Sequence, residues 1–379
     1  MKKILIIYPG FPHYRDGIIE ALLESKNKQY IFIGDKNGYG KVKPYDFATS
    51  KTFHHCPAYK IGPFSFNKGL LTYILKNKVD GAIVHSNPYW ISIILATFIL
   101  RIKNVKVYNW THGILTDIKN NKNKFYYYFN KICFDGLLLY SEKSRENLID
   151  WGYPEEKVLV IYNSLNYKKQ IELRDTLTID KRTKIRESMF QNSNNYQLIF
   201  IGRLTVQKKL SFLIDAVRLL KDENILVNLL FVGDGTEKQN LISQIDKLEI
   251  QEQVYFYGAS YKESTNYELI ASSDICIAPG EIGLTAMHSL VYGVPVISHS
   301  DHNRQMPEFE AIKPNLNGAL FENGNLIDLK EKIKQTIGLI ETKSHSALKE
   351  DCFKIIDEYY NPTYQYNLIE SLFGGDKNI

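Results

Sequence analysis

The strongest constraint on this chain is a rhythm that runs twice. Short runs of β-branched and aliphatic residues alternate with amphipathic segments, stop at an Asn- and Lys/Arg-rich stretch over 163–195, and then begin again. Before the break the spacing predicts strands at Ile4–Tyr8, Tyr30–Gly34, Gly81–His85, Val105–Trp110, Phe134–Tyr140 and Val158–Tyr162. Helices are predicted at Asp16–Leu23, Leu70–Leu75 and Tyr89–Leu100. After the break come strands at Tyr196–Ile201, Val227–Val232, Val254–Tyr257, Ile275–Ala278 and Pro295–Ser298, with helices between them. Helices are also predicted at Leu326–Leu339, Ser344–Tyr359 and Thr363–Phe373. Strands this short and this apolar, joined by helical crossovers, form parallel sheets covered on both faces.

Two such runs predict an α/β protein of two Rossmann-like domains whose parallel sheets face across a cleft. The expected boundaries are 1–165 for the first domain, 166–195 for a linker with one irregular helix near Lys181–Phe190, and 196–355 for the second. A tail over 356–379 is expected to pack back toward the first domain. The length of 379 residues suits two cores better than one. Ligands of open α/β sheets bind outside the carboxyl ends of the strands, which makes those edges the place to look for chemistry.

Composition removes several function classes. Cys56, Cys133, Cys276 and Cys352 have no Cys-x-x-Cys spacing, which argues against a disulfide framework or structural zinc and for a reducing, cytoplasmic setting. The apolar run after Met1-Lys2-Lys3 stops at Pro9-Gly10, too soon for a secretion signal. The uncharged stretch Ile91–Leu100 is about half a bilayer span. Charge is uneven: residues 1–165 hold 23 Lys/Arg against 13 Asp/Glu, an excess of +10, so the remainder of a chain with net charge +5 carries −5. A basic first half suits an anionic membrane surface or a phosphorylated acceptor. No zinc-finger spacing, RNA-binding signature or long arginine stripe points to nucleic acid.

Gly202-Arg203 closes a predicted strand, and Lys208-Lys209 opens the next helix. Arg203 and Lys208 can therefore converge on one anion beside a helix N-terminus, although the spacing alone equally describes a solvated charge pair. Ala278-Pro279-Gly280-Glu281-Ile282-Gly283-Leu284 joins a strand to a helix, where two glycines let backbone N–H groups approach a diphosphate. There is no P-loop lysine, dinucleotide fingerprint or nucleophile elbow. His112 follows a strand. His288 lies in an apolar helix, where a packing role is equally open. His299, Asp301 and His302 lack a third strong ligand, so no metal is expected.

With these pieces in place, Tyr196–Ile297 resembles the donor half of the retaining family-4 glycosyltransferases of the GT-B fold. The resemblance rests on Gly-Arg-Leu with Lys five residues after the Arg, on Val-Gly-Asp-Gly, and on Gly-Leu-x-x-x-x-Ser-Leu-x-x-Gly-x-Pro-Val-Ile from Gly283. The Leu138–Asn166 segment, and Phe11-Pro12-His13-Tyr14-Arg15 as seen in members acting on surface polysaccharides, extend it. It implies a metal-independent enzyme without a cofactor that transfers a sugar from a UDP- or GDP-linked donor, with retention, to a glycan or lipid-linked saccharide.

The resemblance also implies site roles. Arg203 and Lys208 would hold the donor diphosphate, and His112 would lie near the transferred sugar. Gly10, Gly202, Gly280, Gly283, Leu284 and Thr285 would line the donor, and His13, Tyr14, Arg15 and Asn87 the acceptor. The family's two glutamates, with seven residues between them, fall here on Gly280 and His288. Glu281 is therefore assigned to sugar recognition, His288 to a ribose contact, and Glu308 or Glu310, in Asn303–Glu310, to the missing carboxylate. Lys209 stands where glycine is common. Lys119–Lys131, rich in lysine and aromatics, reads either as a surface for peripheral contact with the inner face of an anionic membrane or as a solvated loop leading into a packed helix. A nucleotide-sugar epimerase and a catalytically silent sugar-nucleotide-binding assembly protein are the competing readings.

Overall fold

A computed structural model describes residues 1–38, 42–47, 50–118 and 120–374. The chain forms two compact units, Met1–Tyr167 with Tyr359–Ile379, and Lys168–Glu358.

The first unit begins with β1 (Lys2–Gly10), α1 (Asp16–Leu23), β2 (Lys28–Asp35) and β3 (Phe53–His55). An antiparallel hairpin of β4 (Ala58–Ile61) and β5 (Phe64–Asn67) leads to α2 (Leu70–Lys76) and β6 (Gly81–Val84). Then come α3 (Ile91–Ile102), β7 (Lys106–Thr111), α4 (Asn121–Cys133), β8 (Gly136–Leu139), α5 (Glu142–Asp150) and β9 (Val158–Val160). Seven parallel strands lie in the order β3-β2-β1-β6-β7-β8-β9.

Because side chains alternate along a strand, β1 sends Leu5 and Ile7 to one face and Ile4, Ile6 and Tyr8 to the other. The first face packs under α2, α3 and α4 with Ile74, Ile93, Leu100 and Tyr127. The second is covered by α1, through Ile18 and Leu22, and by the chain's last helix through Ile369 and Phe373.

The second unit opens with α6 (Tyr167–Leu173) and α7 (Ile179–Glu187). Its repeats are β10 (Tyr196–Ile201), α8 (Leu210–Asp222), β11 (Val227–Val232), α9 (Lys238–Lys247), β12 (Val254–Gly258) and α10 (Glu263–Ala271). These are followed by β13 (Ile275–Ala278), α11 (Thr285–Leu290), β14 (Val296–His299), β15 (Gly318–Phe321), α12 (Leu326–Thr342) and α13 (His345–Glu358). The six parallel strands run β12-β11-β10-β13-β14-β15, the doubly wound order with its switch point between β10 and β13. α8 shows why the rhythm is readable: Leu210, Leu213, Ile214, Val217 and Leu220 form one buried stripe at helical spacing.

The chain then returns to the first unit as α14 (Pro362–Leu372), capped by Asn361 on the Tyr364 amide. Glu370 on α14 receives Lys28 Nζ at 2.5 Å, Tyr30 OH at 2.8 Å and Ser25 Oγ at 3.0 Å. Phe373 presses on Gly81, where an added Cβ would lie 2.2 Å from its ring.

The structure adds elements that the rhythm does not announce. The 163–195 stretch holds two helices, not one irregular one. α7 has almost no apolar stripe. It is held by charge instead, with Arg182 and Arg186 both on Asp274, whose Oδ2 also accepts the Gln197 amide at 2.7 Å. β4 of the hairpin is largely exposed, β5 alternates but buries its polar Ser65 and Asn67 and leaves Phe64 exposed, and α5 is mostly polar. Lys119, the first residue of the lysine- and aromatic-rich segment, and residues 375–379 of the tail lie outside the described residues. Among the described residues no helix is long and apolar enough to cross a membrane.

Candidate active site

Each sheet has a switch point, and many of the site residues expected from sequence lie in loops at the carboxyl ends of its strands, whereas His288 lies on α11 and Glu308 and Glu310 in the later turn Pro307–Ala311. In the second unit the loops are those after β10 and β13. Gly202 ends the β10 loop with its amide on Val232 O at 2.9 Å, and the Leu204 amide reaches Asp234 O at 3.0 Å. This lacing admits no side chain at Gly233, where a Cβ would sit 1.8 Å from Gly202 O. Gly280 donates to Lys208 O at 3.1 Å. A Cβ at Gly280 would lie 2.1 Å from Gln207 O, so glycine there is a requirement of backbone approach. Gly283 has φ +54°, a left-handed turn that delivers Leu284 and Thr285 to the start of α11. Thr285 Oγ1 donates to Ile201 O at 3.0 Å and ties that start to β10.

The cations lie on this frame. Lys208 closes the single turn Val206–Lys208, and Lys209, with φ +50°, bends the chain into α8. That left-handed angle is the physical reason glycine suits the position; here Lys209 holds it while its Nζ donates to Asn323 Oδ1 at 2.7 Å. Lys208 Nζ donates to Glu281 O. Burial pushes the Lys208 ammonium down, Glu281 and Glu308 oppose that shift, and Arg203 adds to it. Arg203, Glu281 and Glu308 therefore each act electrostatically on Lys208. Arg203 is exposed, and its guanidinium makes no hydrogen bond or ion pair to the described residues.

Glu308 is buried in the short helix Pro307–Ala311, whereas Glu310 on the same turn is half-buried. Gln305 is a residue the sequence reading passes over. Its Oε1 accepts the Ile282 amide at 3.1 Å, and its Nε2 donates to Ser298 Oγ at 2.7 Å and His299 O at 3.1 Å. Ser298 Oγ in turn donates to Ala278 O at 2.8 Å. One amide thus fixes the Gly280–Gly283 loop to β14.

His288 stands on α11 with Nδ1 3.5 Å from Glu263 Oε1. Glu263 also accepts Tyr292 OH at 2.5 Å and Gln170 Nε2 at 3.1 Å. Burial raises the Glu263 carboxyl, but His288, Tyr292 and Gln170 outweigh that and hold it at about 2. Sequence reading finds His288; Glu263, a full helix away, carries no motif.

The first unit builds its switch point from side chains. Gly10 ends β1 opposite Asp35 after a register shift. In the turn His13–Arg15, His13 is exposed with Nδ1 3.1 Å from Lys43 O, and Tyr14 is half-buried. Arg15 is buried. Its guanidinium lies 4.5 Å from the Trp110 ring centroid, 5.1 Å from Tyr8 and 5.4 Å from Tyr140, and bonds Tyr140 OH. Asn87 Oδ1 accepts the Tyr89 amide at 2.9 Å, a turn that starts α3.

His112 is set by its backbone: Ser144 Oγ donates to His112 O at 2.8 Å and accepts the Ile114 amide at 3.0 Å. Its ring lies 4.7 Å from Tyr140, with Nδ1 buried and unpartnered. Burial, then His85 and Arg15, lower it to about 4. His85, which no motif marks, stacks on Tyr8 at 4.9 Å with Nδ1 2.8 Å from Trp110 O, and burial lowers it to about 4 as well. Among the described residues no cluster of three or more His, Cys, Asp or Glu is placed to hold a metal ion.

Comparison with known proteins fits this geometry. Residues 181–349 match the family model described as glycosyl transferases group 1. An uncharacterized 41.2 kDa protein in the cps region of Klebsiella pneumoniae is 25% identical over 264 residues, 66% of this chain and 68% of that one. The Anabaena Alr3699/HepE protein, solved in complex with UDP, superposes with a TM-score of 0.71 at 17% identity, over 98% of this chain and 99% of its own. A glycosyltransferase from Rickettsia africae gives 0.71 at 20% identity, over 98% and 97%. The fold is the GT-B architecture of paired Rossmann-like domains, and with the family match it makes this chain a glycosyltransferase-type enzyme.

Proposed function

We propose that the protein transfers a sugar, with retention of anomeric configuration, from a nucleotide diphosphate-sugar to a glycan or lipid-linked saccharide in cell-surface polysaccharide synthesis. The carrying observation is the β10/β13 switch point. Exposed Arg203 and half-buried Lys208 stand beside two loops whose glycines let backbone approach backbone. As the sugar–phosphate bond breaks, negative charge grows on the diphosphate, and Arg203 and Lys208 stabilise it. The leaving phosphate takes the acceptor proton in a same-face attack, so no protein nucleophile is required.

Glu281 recognises sugar hydroxyls. Glu308, whose charge reaches Lys208, supplies the carboxylate that Gly280 and His288 do not, in preference to Glu310. Leu284 and Thr285 face the donor with Gly202, Gly283 and Gly10, and His288 meets the ribose. His112 approaches the sugar as a neutral imidazole. His13, Tyr14 and Asn87 contact the acceptor. Arg15, enclosed by Tyr8, Trp110 and Tyr140, shapes that region from within. The likeness to a protein solved with UDP and with UDP-glucose supports a uridine donor. Peripheral contact with an anionic membrane completes this reading, because lipid-linked acceptors reside there.

A thermal-shift and transfer screen of UDP- and GDP-sugars against extracted glycolipid acceptors tests it, with the anomeric configuration of the product determined. An inverted product removes retention. Tight donor binding without transfer to any acceptor selects a binding protein, and isomerised sugar without acceptor selects an epimerase.

A further inference from the structure

We infer that Glu263 is a positioning residue for His288: it holds the proton on Nδ1 and so leaves Nε2 to hydrogen-bond the ribose of the donor nucleotide. The inference rests on the proposed ribose contact of His288 and supplies what that contact needs.

The backbone places His288 for the task. It follows Leu284 and Thr285 by four and three residues, so all three share one face of the helix that Leu284 opens. Thr285 Oγ1 is bonded to Ile201 O at 3.0 Å and the His288 amide to Leu284 O at 3.1 Å, which fixes that face against the end of β10. One helical turn separates the imidazole from the β10/β13 switch point.

Packing alone does not account for this ring. Its Nδ1 is buried without a hydrogen-bond partner at normal distance, and it faces Glu263 Oε1 at 3.5 Å. A bare Nδ1 would set its lone pair against a carboxylate oxygen, whereas an Nδ1–H is attracted by it. The proton therefore belongs on Nδ1, and the partner of one ring nitrogen decides what the other offers. The side chain is 22% exposed, and with Nδ1 buried it is the opposite edge that is left to a ligand. A ribose hydroxyl both donates and accepts, so it pairs with Nε2 whether or not the ring is charged.

Glu263 is built to stay anionic and in place. Its Oε1 also accepts Tyr292 OH at 2.5 Å and Gln170 Nε2 at 3.1 Å. These donors and His288 together outweigh burial and hold the carboxyl at about 2. A carboxylate tethered by two donors at the oxygen that faces the imidazole does not swing away without losing both. The 3.5 Å separation is long for a hydrogen bond, and such bonds often tighten only when the ligand arrives.

The test is a cycle of protein variants against ligands. Affinities for UDP and 2′,3′-dideoxy-UDP are measured by titration calorimetry for the native chain, Glu263→Gln, His288→Ala and Tyr292→Phe, with thermal unfolding of each. The native chain should bind UDP at least about tenfold more tightly than the dideoxy analogue. That preference should vanish in Glu263→Gln and in His288→Ala, with affinity for dideoxy-UDP unchanged, because only the ligand hydroxyls report on Nε2. Tyr292→Phe removes a different bond of the same carboxylate and should keep the native preference. A Glu263→Gln variant that retains the preference overturns the inference. So does one that weakens both ligands equally, which is what a purely structural carboxylate gives.

Imidazole nitrogen shifts of the ligand-free native chain, with His288 assigned through His288→Gln, add a readout that needs no nucleotide. A protonated Nδ1 is expected, and a bare Nδ1 overturns the pairing. Equal affinity of the native chain for the two ligands removes the ribose contact and this inference with it, while UDP binding itself keeps the donor assignment standing. Failure of the native chain to bind UDP sinks the uridine donor and the ribose role together, and the nitrogen shifts still decide whether Glu263 holds His288.

Discussion

The two switch points of this molecule have the same topology and are built from opposite materials. In the second unit the carboxyl edge is backbone, with Gly233 and Gly280 packed against neighbouring main chain, Lys208 bonded to Glu281 O and Arg203 exposed beside them. In the first unit the same edge is filled by side chains: Arg15 among Tyr8, Trp110 and Tyr140, with His85 and His112 beside it. A backbone cradle suits a diphosphate, whose recognition needs N–H groups and cations and little shape. An aromatic and imidazole wall suits a sugar, which offers hydroxyls and an apolar ring face.

The largest effects are expected from the cations of the second unit. Arg203→Ala and Lys208→Ala should each lower kcat for sugar transfer by about 10²–10³, or about 3–4 kcal/mol of transition-state stabilisation. Circular dichroism should stay unchanged for Arg203→Ala, because its side chain is exposed. Near-native transfer by both variants means that the diphosphate is held elsewhere, and the contrast between the two edges loses its chemistry.

Next in size is the backbone itself. Gly233→Ala places a methyl where only 1.8 Å separates it from Gly202 O, and urea unfolding should show a loss of about 3 kcal/mol. Gly258→Ala is the control: φ is +92° but nothing lies within 4 Å of the new Cβ, so about 1 kcal/mol is expected. Equal costs at the two positions imply that the cradle relaxes and is not held tightly. Gln305→Ala, which leaves the buried Ile282 amide and Ser298 hydroxyl without this partner, should cost about 1–3 kcal/mol and lower donor affinity in the same titration.

These differences in construction explain what could be read from sequence. Glycines spaced for close approach are a local signal, but the approach found at Gly280 is to the Gln207 carbonyl, where the sequence suggests a ligand diphosphate. The strands follow from apolar runs such as Tyr196–Ile201 and Val227–Val232, whose observed bounds coincide with those expected, while their order in the sheet comes from the structure. The first unit's wall leaves no such trace. Tyr8, His85, Trp110 and Tyr140 come from four strands or their ends and meet only after the sheet forms. Glu263 is equally silent, since its contacts with His288, Tyr292 and Gln170 join three helices. The hairpin and α6 are illegible for another reason, since neither carries an apolar period, whereas the helix expected near Lys181–Phe190 is α7, held by ion pairs.

The most gradual effect, spread over more than two pH units, separates the two regions by pH. His85 and His112 in the first unit, and His299 in the second, sit at about 4, with burial the leading cause for each. An unfolded histidine titrates near 6.5. Between those values the unfolded chain binds protons that the folded chain refuses, so the contribution of each to stability is complete above about 6.5 and is lost as the pH falls toward 4. The slope is about 1.4 kcal/mol per pH unit for each histidine. Glu263, held at about 2, acts lower: its contribution is intact above its unfolded value near 4.3 and disappears as the pH falls toward 2. Two of these three belong to the first unit, and His345 in the second is lowered as well, with burial the leading cause, so both units should lose stability between pH 6.5 and 4, the first through two neighbouring rings. Imidazole proton shifts of the native chain, assigned with His85→Gln and His112→Gln variants, check this directly. Titration of either ring near 6.5 means that it is open to water, and the first unit's wall is then no more enclosed than the cradle of the second.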